Sequence, residues 1–384
     1  MNSLYIKNGN VFLNGGFEKT NITVSDGIIT GISSEDQAPE GAAVYDATGK
    51  TVVPGFIDLH THGAVNVDVN AATAEDLEKI SHFFATQGTT SWLCSVLTDT
   101  REQTLWCIGQ FREHQKMESN GADLMGIHLE GPFLAAEYKG AMPEHLLMNR
   151  PDMELLREYQ EAADGAIRYI TVSPEVEGVT ESIGNMKELG MTVGIGHSGA
   201  DYDTAMKAIE NGAATATHTF NAMKLMHQHF PAIMGAVLES DIYCEAICDG
   251  RHLHPAVVRL LLKVKGIDKV VAVTDSIMAT GLPDGKYKLG VNDIVVVDGD
   301  AKLAVGGSRA GSTLTTGTAL KNILKFTGLP LEKALLLLTE NPAKLIGVFD
   351  RKGSIEAGKY ADLVILNEEN DVEDTFVKGK QIQK

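Results

Sequence analysis

No run in this chain approaches the roughly 20 apolar residues that a helix needs to cross a bilayer. Its start, Met1-Asn2-Ser3-Leu4-Tyr5-Ile6-Lys7, lacks the long apolar core of a secretion signal. Basic residues are scarce. The 33 lysines and arginines against 51 acids leave a formal charge of −18, which argues against phosphate-backbone binding and so against a nucleic-acid partner. A small anionic substrate is not excluded, because its binding depends on the local field. Cysteine is scarce too: Cys94, Cys107, Cys244 and Cys248 form no C-x-x-C pair and no zinc-ribbon spacing. Cys244 and Cys248 share one face if they lie on one strand, as buried small apolar residues would. The expectation is a cytoplasmic protein with no membrane segment. The 384 residues and a 43% apolar share are enough for a large barrel with an appendage.

What is present is punctuated regularly. Leu4–Lys7, Val11–Leu13, Ile22–Val24 and Ile28–Ile32 read as short strands. Asn8-Gly9-Asn10, Asn14-Gly15-Gly16 and Asp26-Gly27 between them read as tight turns. The far end is similar, with Ala361–Leu366 and Thr375–Lys378. A β unit at each terminus points to one small sheet domain made by both ends, residues 1–52 and 347–384. Between them, over 53–346, strand and helix alternate. Candidate strands are 52–59, 89–97, 124–130, 167–173, 191–197, 213–219, 242–248 and 269–275. In Thr73–Gln87, Leu77, Ile80, Phe83 and Phe84 keep helical spacing behind Thr73 as N-cap. Helices at 177–189 and 201–211 stop before Gly190 and Gly212. Eight strands alternating with helices predict an α/β fold, a parallel (β/α)8 TIM-like barrel. Segment 284–308, with Val291–Val297 and Lys302–Val305, reads as a β excursion after the eighth strand.

The chemistry lies at the ends of the strands. His60 and His62 close the apolar run from Val52, and residues two apart on a strand face the same side. Glu130, His197, His218 and Asp275 close the third, fifth, sixth and eighth candidate strands. Catalytic groups gather at the carboxyl ends of barrel strands, and a carboxylate ending a buried strand is costly unless paired or metal-bound. Imidazole with carboxylate suits zinc or iron better than calcium or magnesium. Glu130, His197 and His218 make one three-ligand set. His60 and His62, with Glu130 as a bridge, make a second. Asp275 is the expected proton carrier between a metal-activated water and a leaving group.

The run Val53-Pro54-Gly55-Phe56-Ile57-Asp58-Leu59-His60-Thr61-His62-Gly63 resembles the opening of the metal-dependent amidohydrolase superfamily. His128-Leu129-Glu130-Gly131-Pro132-Phe133, Gly196-His197-Ser198 and Thr217-His218-Thr219-Phe220-Asn221-Ala222-Met223 resemble one branch, the N-acetylglucosamine-6-phosphate deacetylases. So do Asp249-Gly250-Arg251-His252, Val273-Thr274-Asp275 and Ala310-Gly311-Ser312-Thr313-Leu314. The resemblance implies a deformed barrel with a β-sandwich from both termini, and hydrolysis of an N-acetyl amino-sugar phosphate to the amine and acetate. It implies Glu130, His197 and His218 as metal ligands, Asp275 as acid/base, and His252 as the group that polarises the substrate carbonyl. Asn221 and Ala222 match residues whose backbone helps hold the phosphate, and Arg251 falls in a matching motif at the substrate. Members with the H-x-H pair can hold two divalent ions, Zn2+ or Fe2+, and others one. This chain has the pair. Family precedent implies a homodimer. The fourth strand, ending Thr171-Val172-Ser173-Pro174-Glu175, offers no lysine to bridge two metals, which disfavours the cyclic-amide hydrolases.

Three departures bear on the substrate. His229 stands where the family carries an arginine that reaches the phosphate from a neighbouring subunit. A histidine offers a weaker, pH-dependent charge. Arg309 replaces a common leucine, and either restores the missing charge or lies solvated in its glycine-rich loop. Met142 replaces a polar sugar contact. These leave N-acetylgalactosamine 6-phosphate, or another anionic N-acyl amino sugar, as an alternative substrate. A non-catalytic barrel scaffold is the reading from a different class.

Overall fold

Asn14-Gly15 and Asp26-Gly27 reverse the chain as expected. Both residues of each pair take positive φ, 50° and 80° then 49° and 82°, the geometry whose twist matches a hairpin's strands. They fold Ser3–Leu13, Gly16–Ser25 and Ile28–Ser33 into an antiparallel meander. The computed structural model describes residues 3–34 and 37–384; Met1 and Asn2, in the segment expected to lack a secretion signal, lie outside the described residues. Asn8-Gly9-Asn10, expected as a turn, is instead a bulge inside one strand, where the register shifts between Ile6 and Gly9. Asn8 stands at φ 61° with its N–H held by the Asn21 side-chain oxygen (2.8 Å). A Cβ on Gly9 would meet Val52 at 2.8 Å.

Both termini share one sheet. Thr51–Pro54 pairs in parallel with Ser3–Leu13 and antiparallel with Leu363–Leu366. Val372–Val377 and Lys380–Gln381 extend it at one side, and Ala43–Asp46, absent from the expectation, pairs with the first strand. The eight strands enclose their own apolar cluster, with Ile6, Ile22, Val52, Leu363 and Phe376 inside.

The second eight-stranded sheet is the barrel. Phe56–Thr61, Thr89–Leu97, Asp123–Glu130, Ile167–Val172, Thr192–Ile195, Thr215–Ala216, Tyr243–Ile247 and Val270–Val273 pair in sequence order, all parallel. First and last strands meet through His62 N–H to Ser276 O (2.7 Å) and Asp275 N–H to His60 O (2.8 Å). The expected strand 52–59 is corrected: it divides at Pro54-Gly55, with Thr51–Pro54 in the terminal sheet and Phe56–Thr61 in the barrel. Proline has no N–H for a ladder, and a Cβ on Gly55 would lie 2.0 Å from Thr90 Oγ1. The sixth strand, expected over 213–219, shrinks to two residues because the chain bends at His218 (φ 30°), Phe220 (77°) and Ala222 (48°).

Thr73 caps helix Ala74–Thr86 reciprocally with Asp76. Helices Val179–Glu188 and Tyr202–Glu210 end before Gly190 (φ 86°) and Gly212 (φ 109°). The β excursion has three antiparallel strands, Gly285–Leu289, Asn292–Val297 and Asp300–Leu303, the first of them unforeseen. Its Leu289, Ile294 and Val296 pack on Leu97, Met142 and Ile277 at the carboxyl end of the barrel. Among the described residues no helix is long and apolar enough to cross a membrane. The four cysteines are free and buried.

One buried ion-pair network fastens the C-terminal segment to the barrel. Lys352 Nζ, only 5% exposed, lies 2.8 Å from Asp123 and 2.7 Å from Asp362, and Lys378 Nζ lies 3.0 Å from Asp123. Burial would raise the Asp123 carboxyl, but Lys352 and Lys378 hold it below its ordinary value. A depressed carboxylate stabilises the fold above its unfolded pKa, near 3.8, and that stability is lost as pH falls through the lower folded value. Lys352→Met leaves the buried Asp362 without its lysine and the half-buried Asp123 with Lys378 alone, and is expected to cost about 3–5 kcal/mol. Urea unfolding at pH 7 checks this, and the difference from wild type is expected to shrink below about pH 4.

Candidate active site

The alternation of a strand places His60 with His62, and His128 with Glu130, on the inner face of the barrel. The other groups leave their strands in strained turns. His197, His218 and Asp275 have φ of 48°, 30° and 51°, backbone conformations that cluster at functional sites. Together they form two compact donor sets: His60, His62 and Asp275, and Glu130, His197 and His218. Glu130 joins them. Its Oε1 lies 3.1 Å from His197 Nε2, 3.2 Å from His218 Nε2 and 3.4 Å from His60 Nε2, while its Oε2 lies 3.2 Å from His62 Nε2. Asp275 Oδ1 lies 3.3 Å from His62 Nε2 and 3.6 Å from His60 Nε2.

The imidazoles fit a cation. His62 Nδ1 meets Ser95 O (3.1 Å), and His197 Nδ1 meets Tyr138 O (2.7 Å). A carbonyl oxygen only accepts, so both Nδ1 atoms carry the hydrogen. His60 Nδ1 donates to Glu245 Oε2 in the same way (3.1 Å). The Nε2 atoms then hold lone pairs, yet they face one another: His60 to His62 at 3.1 Å and His197 to His218 at 2.9 Å. Outer partners of this kind fix the tautomer a metal ligand needs, and a cation removes the repulsion. Charge agrees. Burial would lower the His60 imidazole, but Glu130 and Asp275 hold it well above its ordinary value. His62, buried too, is raised to about 9 by hydrogen bonds to Asp275 and Glu130. Against burial, His60, His197 and His218 keep Glu130 well below the usual carboxylate range. The cluster requires positive charge.

Above it lies a cavity of about 240 Å³. His62, Glu130, His197, His218 and Asp275 line its floor, and His60 sits beneath, fully buried. His252, Asn221, Ala222, Met142 and Arg309 are among the residues of its walls. His252 Nδ1 pairs with Asp249 Oδ2 at 2.6 Å. The Asn221 backbone N–H is already taken by His218 O (2.9 Å). Met142 is buried among Leu97, Leu289 and Ile277. Arg309 forks onto Asp300 (2.8 and 3.1 Å), with Lys302 beside it (3.0 Å). Two expected residues are not part of the lining. Arg251 bonds Asp298 O on the β excursion, and His229 is exposed on the segment that carries Leu225, Met226 and Phe230 outward.

Four groups escaped the sequence reading. Asp58 ties the first strand to the last through Thr274 Oγ1 (2.6 Å), and burial pushes its carboxyl up to about 7. His128, held by Ser95 Oγ (2.9 Å) and Thr171 Oγ1 (2.8 Å), is kept well below its ordinary pKa, chiefly by burial. Asp249 orients His252. Glu245 lies inside the apolar seventh strand. The only signal for it in the sequence was an acid within Tyr243–Ile247.

Fold and donor set define the class: a (β/α)8-barrel hydrolase with its polar groups at the carboxyl ends of the strands. Residues 51–382 match the model of the amidohydrolase family. The chain is 34% identical to the N-acetylglucosamine-6-phosphate deacetylase of Bacillus subtilis, over 93% of this chain and 91% of that protein. It is 29% identical to the N-acetylgalactosamine-6-phosphate deacetylase of Escherichia coli O157:H7, over 95% of each. The crystal structure of N-acetylglucosamine-6-phosphate deacetylase from Pasteurella multocida superposes with a TM-score of 0.93 at 32% identity, over the whole of both chains. The chain belongs to the amidohydrolase family and, within it, to the N-acetylglucosamine-6-phosphate deacetylases. It is a hydrolase acting on an amide bond, which sets aside the non-catalytic scaffold.

Proposed function

We propose that this chain hydrolyses the N-acetyl amide of N-acetylglucosamine 6-phosphate, giving the amino-sugar phosphate and acetate. One observation carries the reading: four imidazoles and two carboxylates from five barrel strands converge beneath one cavity. Glu130, His197 and His218 would hold one divalent ion, Zn2+ or Fe2+. His60 and His62, with Glu130 between, would hold a second. When bound, such an ion supplies Lewis-acid charge and lowers the pKa of a water toward neutrality.

The chain's own residues do the rest. Asp275, grouped with His60 and His62, accepts the proton of the attacking water and delivers it to the departing nitrogen. An amine leaves poorly without it. His252 donates to the amide oxygen, and Asp249 Oδ2, 2.6 Å from His252 Nδ1, fixes the orientation of the ring. Asn221 and Ala222 border the phosphate position, Met142 gives the sugar an apolar wall, and Arg309 turns from Asp300 to the phosphate. The hydrolase barrel runs from Phe56 to about residue 346, and the segment up to Pro54 with 347–384 makes the β-sandwich unit. The exposed segment bearing His229 is presented to a second copy in a homodimer, and Arg251 braces the excursion at the substrate's edge. The setting is cytoplasmic.

A kinetic panel of N-acetylglucosamine, N-acetylgalactosamine and their 6-phosphates tests the substrate. The 6-phosphate of N-acetylglucosamine is expected to give the highest kcat/KM. Equal values with and without phosphate would defeat this choice, and a galacto preference would select the alternative that the E. coli relative's name supports. Arg309→Ala is expected to raise KM for the phosphorylated sugar about tenfold, the worth of one charge-assisted hydrogen bond, with little change for the unphosphorylated sugar. Equal shifts for both would make Arg309 incidental.

A further inference from the structure

Glu245 is a carboxylate where the barrel interior offers little reason for one. It lies mid-strand between Cys244 and Ala246 and is fully buried. Its Oε1 makes no hydrogen bond of good geometry among the described residues, and the Tyr169 hydroxyl is the donor that lies against the carboxylate. A carboxylate buried this deeply costs free energy unless it is held, and departures from the local apolar rule mark functional positions. The other oxygen is fully employed. Glu245 Oε2 accepts from His60 Nδ1 (3.1 Å) and from the His218 backbone N–H (2.9 Å). One atom thus touches a member of each donor set.

The two contacts differ in what they control. The His218 backbone is also braced by Asn221 N–H to His218 O and by Thr219 N–H to Glu245 O. The His60 ring has no such alternative. Its Nε2 faces His62, Glu130 and Asp275, and its Nδ1 has Glu245 as its only side-chain partner among the described residues. The other first-strand imidazole, His62, is oriented by a main-chain oxygen, Ser95 O, which no side-chain change removes. At Nδ1 the His60 ring is therefore held by Glu245, while His128 packs edge-on against it with ring centroids 4.6 Å apart.

We propose that Glu245 is the positioning residue that aims His60 Nε2 at the shared centre, so that the first-strand histidines hold a second divalent ion. This rests on the reading of the two donor sets as metal sites, and it adds a residue for which neither the sequence motifs nor the relatives gave a role. Outer-sphere partners of ligating histidines are worth roughly 10–100-fold in metal affinity.

The test is equilibrium dialysis of the full-length chain against Zn2+, with metal analysis, for wild type, Glu245→Gln, His60→Ala and the double variant. Wild type is expected to bind two ions. Glu245→Gln, which keeps the volume of the side chain, is expected to weaken one of them about 10–100-fold and leave the other within threefold. His60→Ala is expected to lose that ion, and adding Glu245→Gln to it is expected to change nothing further, the non-additivity of residues acting through one another. A wild type that binds one ion, a Glu245→Gln variant with both affinities unchanged, or a further loss at the remaining ion in the double variant overturns the proposal. If a variant containing His60→Ala fails to fold, by circular dichroism, the Glu245→Gln affinities decide alone. Two bound ions without hydrolysis of any N-acetyl sugar phosphate would instead refute the functional reading and leave this one standing.

Discussion

Asp275→Asn is expected to lower kcat by about 10²–10⁴-fold, the usual worth of a positioned acid/base, with KM and the ion at Glu130, His197 and His218 little changed. The carboxamide has nearly the same shape. Asparagine tolerates the left-handed backbone at φ 51°. The main-chain bonds that close the barrel there, Asp275 N–H to His60 O and Ser312 N–H to Asp275 O, do not involve the side chain. What is lost is the negative charge of a carboxylate 3.3 Å from His62 Nε2 and with it the capacity to take and return a proton. A measured kcat within tenfold of wild type would remove Asp275 from the mechanism. Loss of all bound metal in this variant would recast Asp275 as a ligand.

Glu130→Gln is expected to be worse, because it acts on both donor sets at once. The carboxylate meets four imidazole nitrogens within 3.1–3.4 Å, one oxygen toward His60, His197 and His218 and the other toward His62. A carboxamide offers one weak acceptor, carries no negative charge to hold a cation, and turns an N–H2 group toward the shared centre. Metal affinity is expected to fall by more than the roughly 10–100-fold seen when an outer partner is lost, and acetate release to fall to background. Removing Glu130 also withdraws the main influence that keeps His60 raised against burial, so the emptied cluster should hold less positive charge. Metal analysis after dialysis, paired with an acetate assay, checks both. Retention of stoichiometric metal would show that Glu130 is not the bridge.

Much of this was legible in the sequence because the informative residues end apolar runs. His60, His62, Glu130, His197, His218 and Asp275 each sit where a buried strand gives way to a turn, and a polar group in that place requires a reason. The eight strands were readable for the same cause. What the sequence hid is set by partners across the barrel. Glu245 is 185 residues from His60, and nothing within Tyr243–Ile247 announces that its carboxylate meets an imidazole. His128 shares a face with Glu130, yet its role depends on Ser95 and Thr171 from neighbouring strands. The division of the first strand at Pro54-Gly55 follows from a close approach to Thr90, again a contact distant in sequence. Asn8-Gly9 has the composition of a turn, but pairing with Gly16–Ser25 on both sides makes it a bulge. Arg251 and His229 were expected at the substrate, but neither lines the cavity of their own chain.

The most direct measurement is anomalous scattering at the zinc absorption edge from crystals of the zinc-loaded, full-length chain. The account predicts a strong peak in contact with Glu130, His197 and His218, and a second beside His60 and His62. Zinc bound elsewhere, with no peak among these side chains, would contradict it.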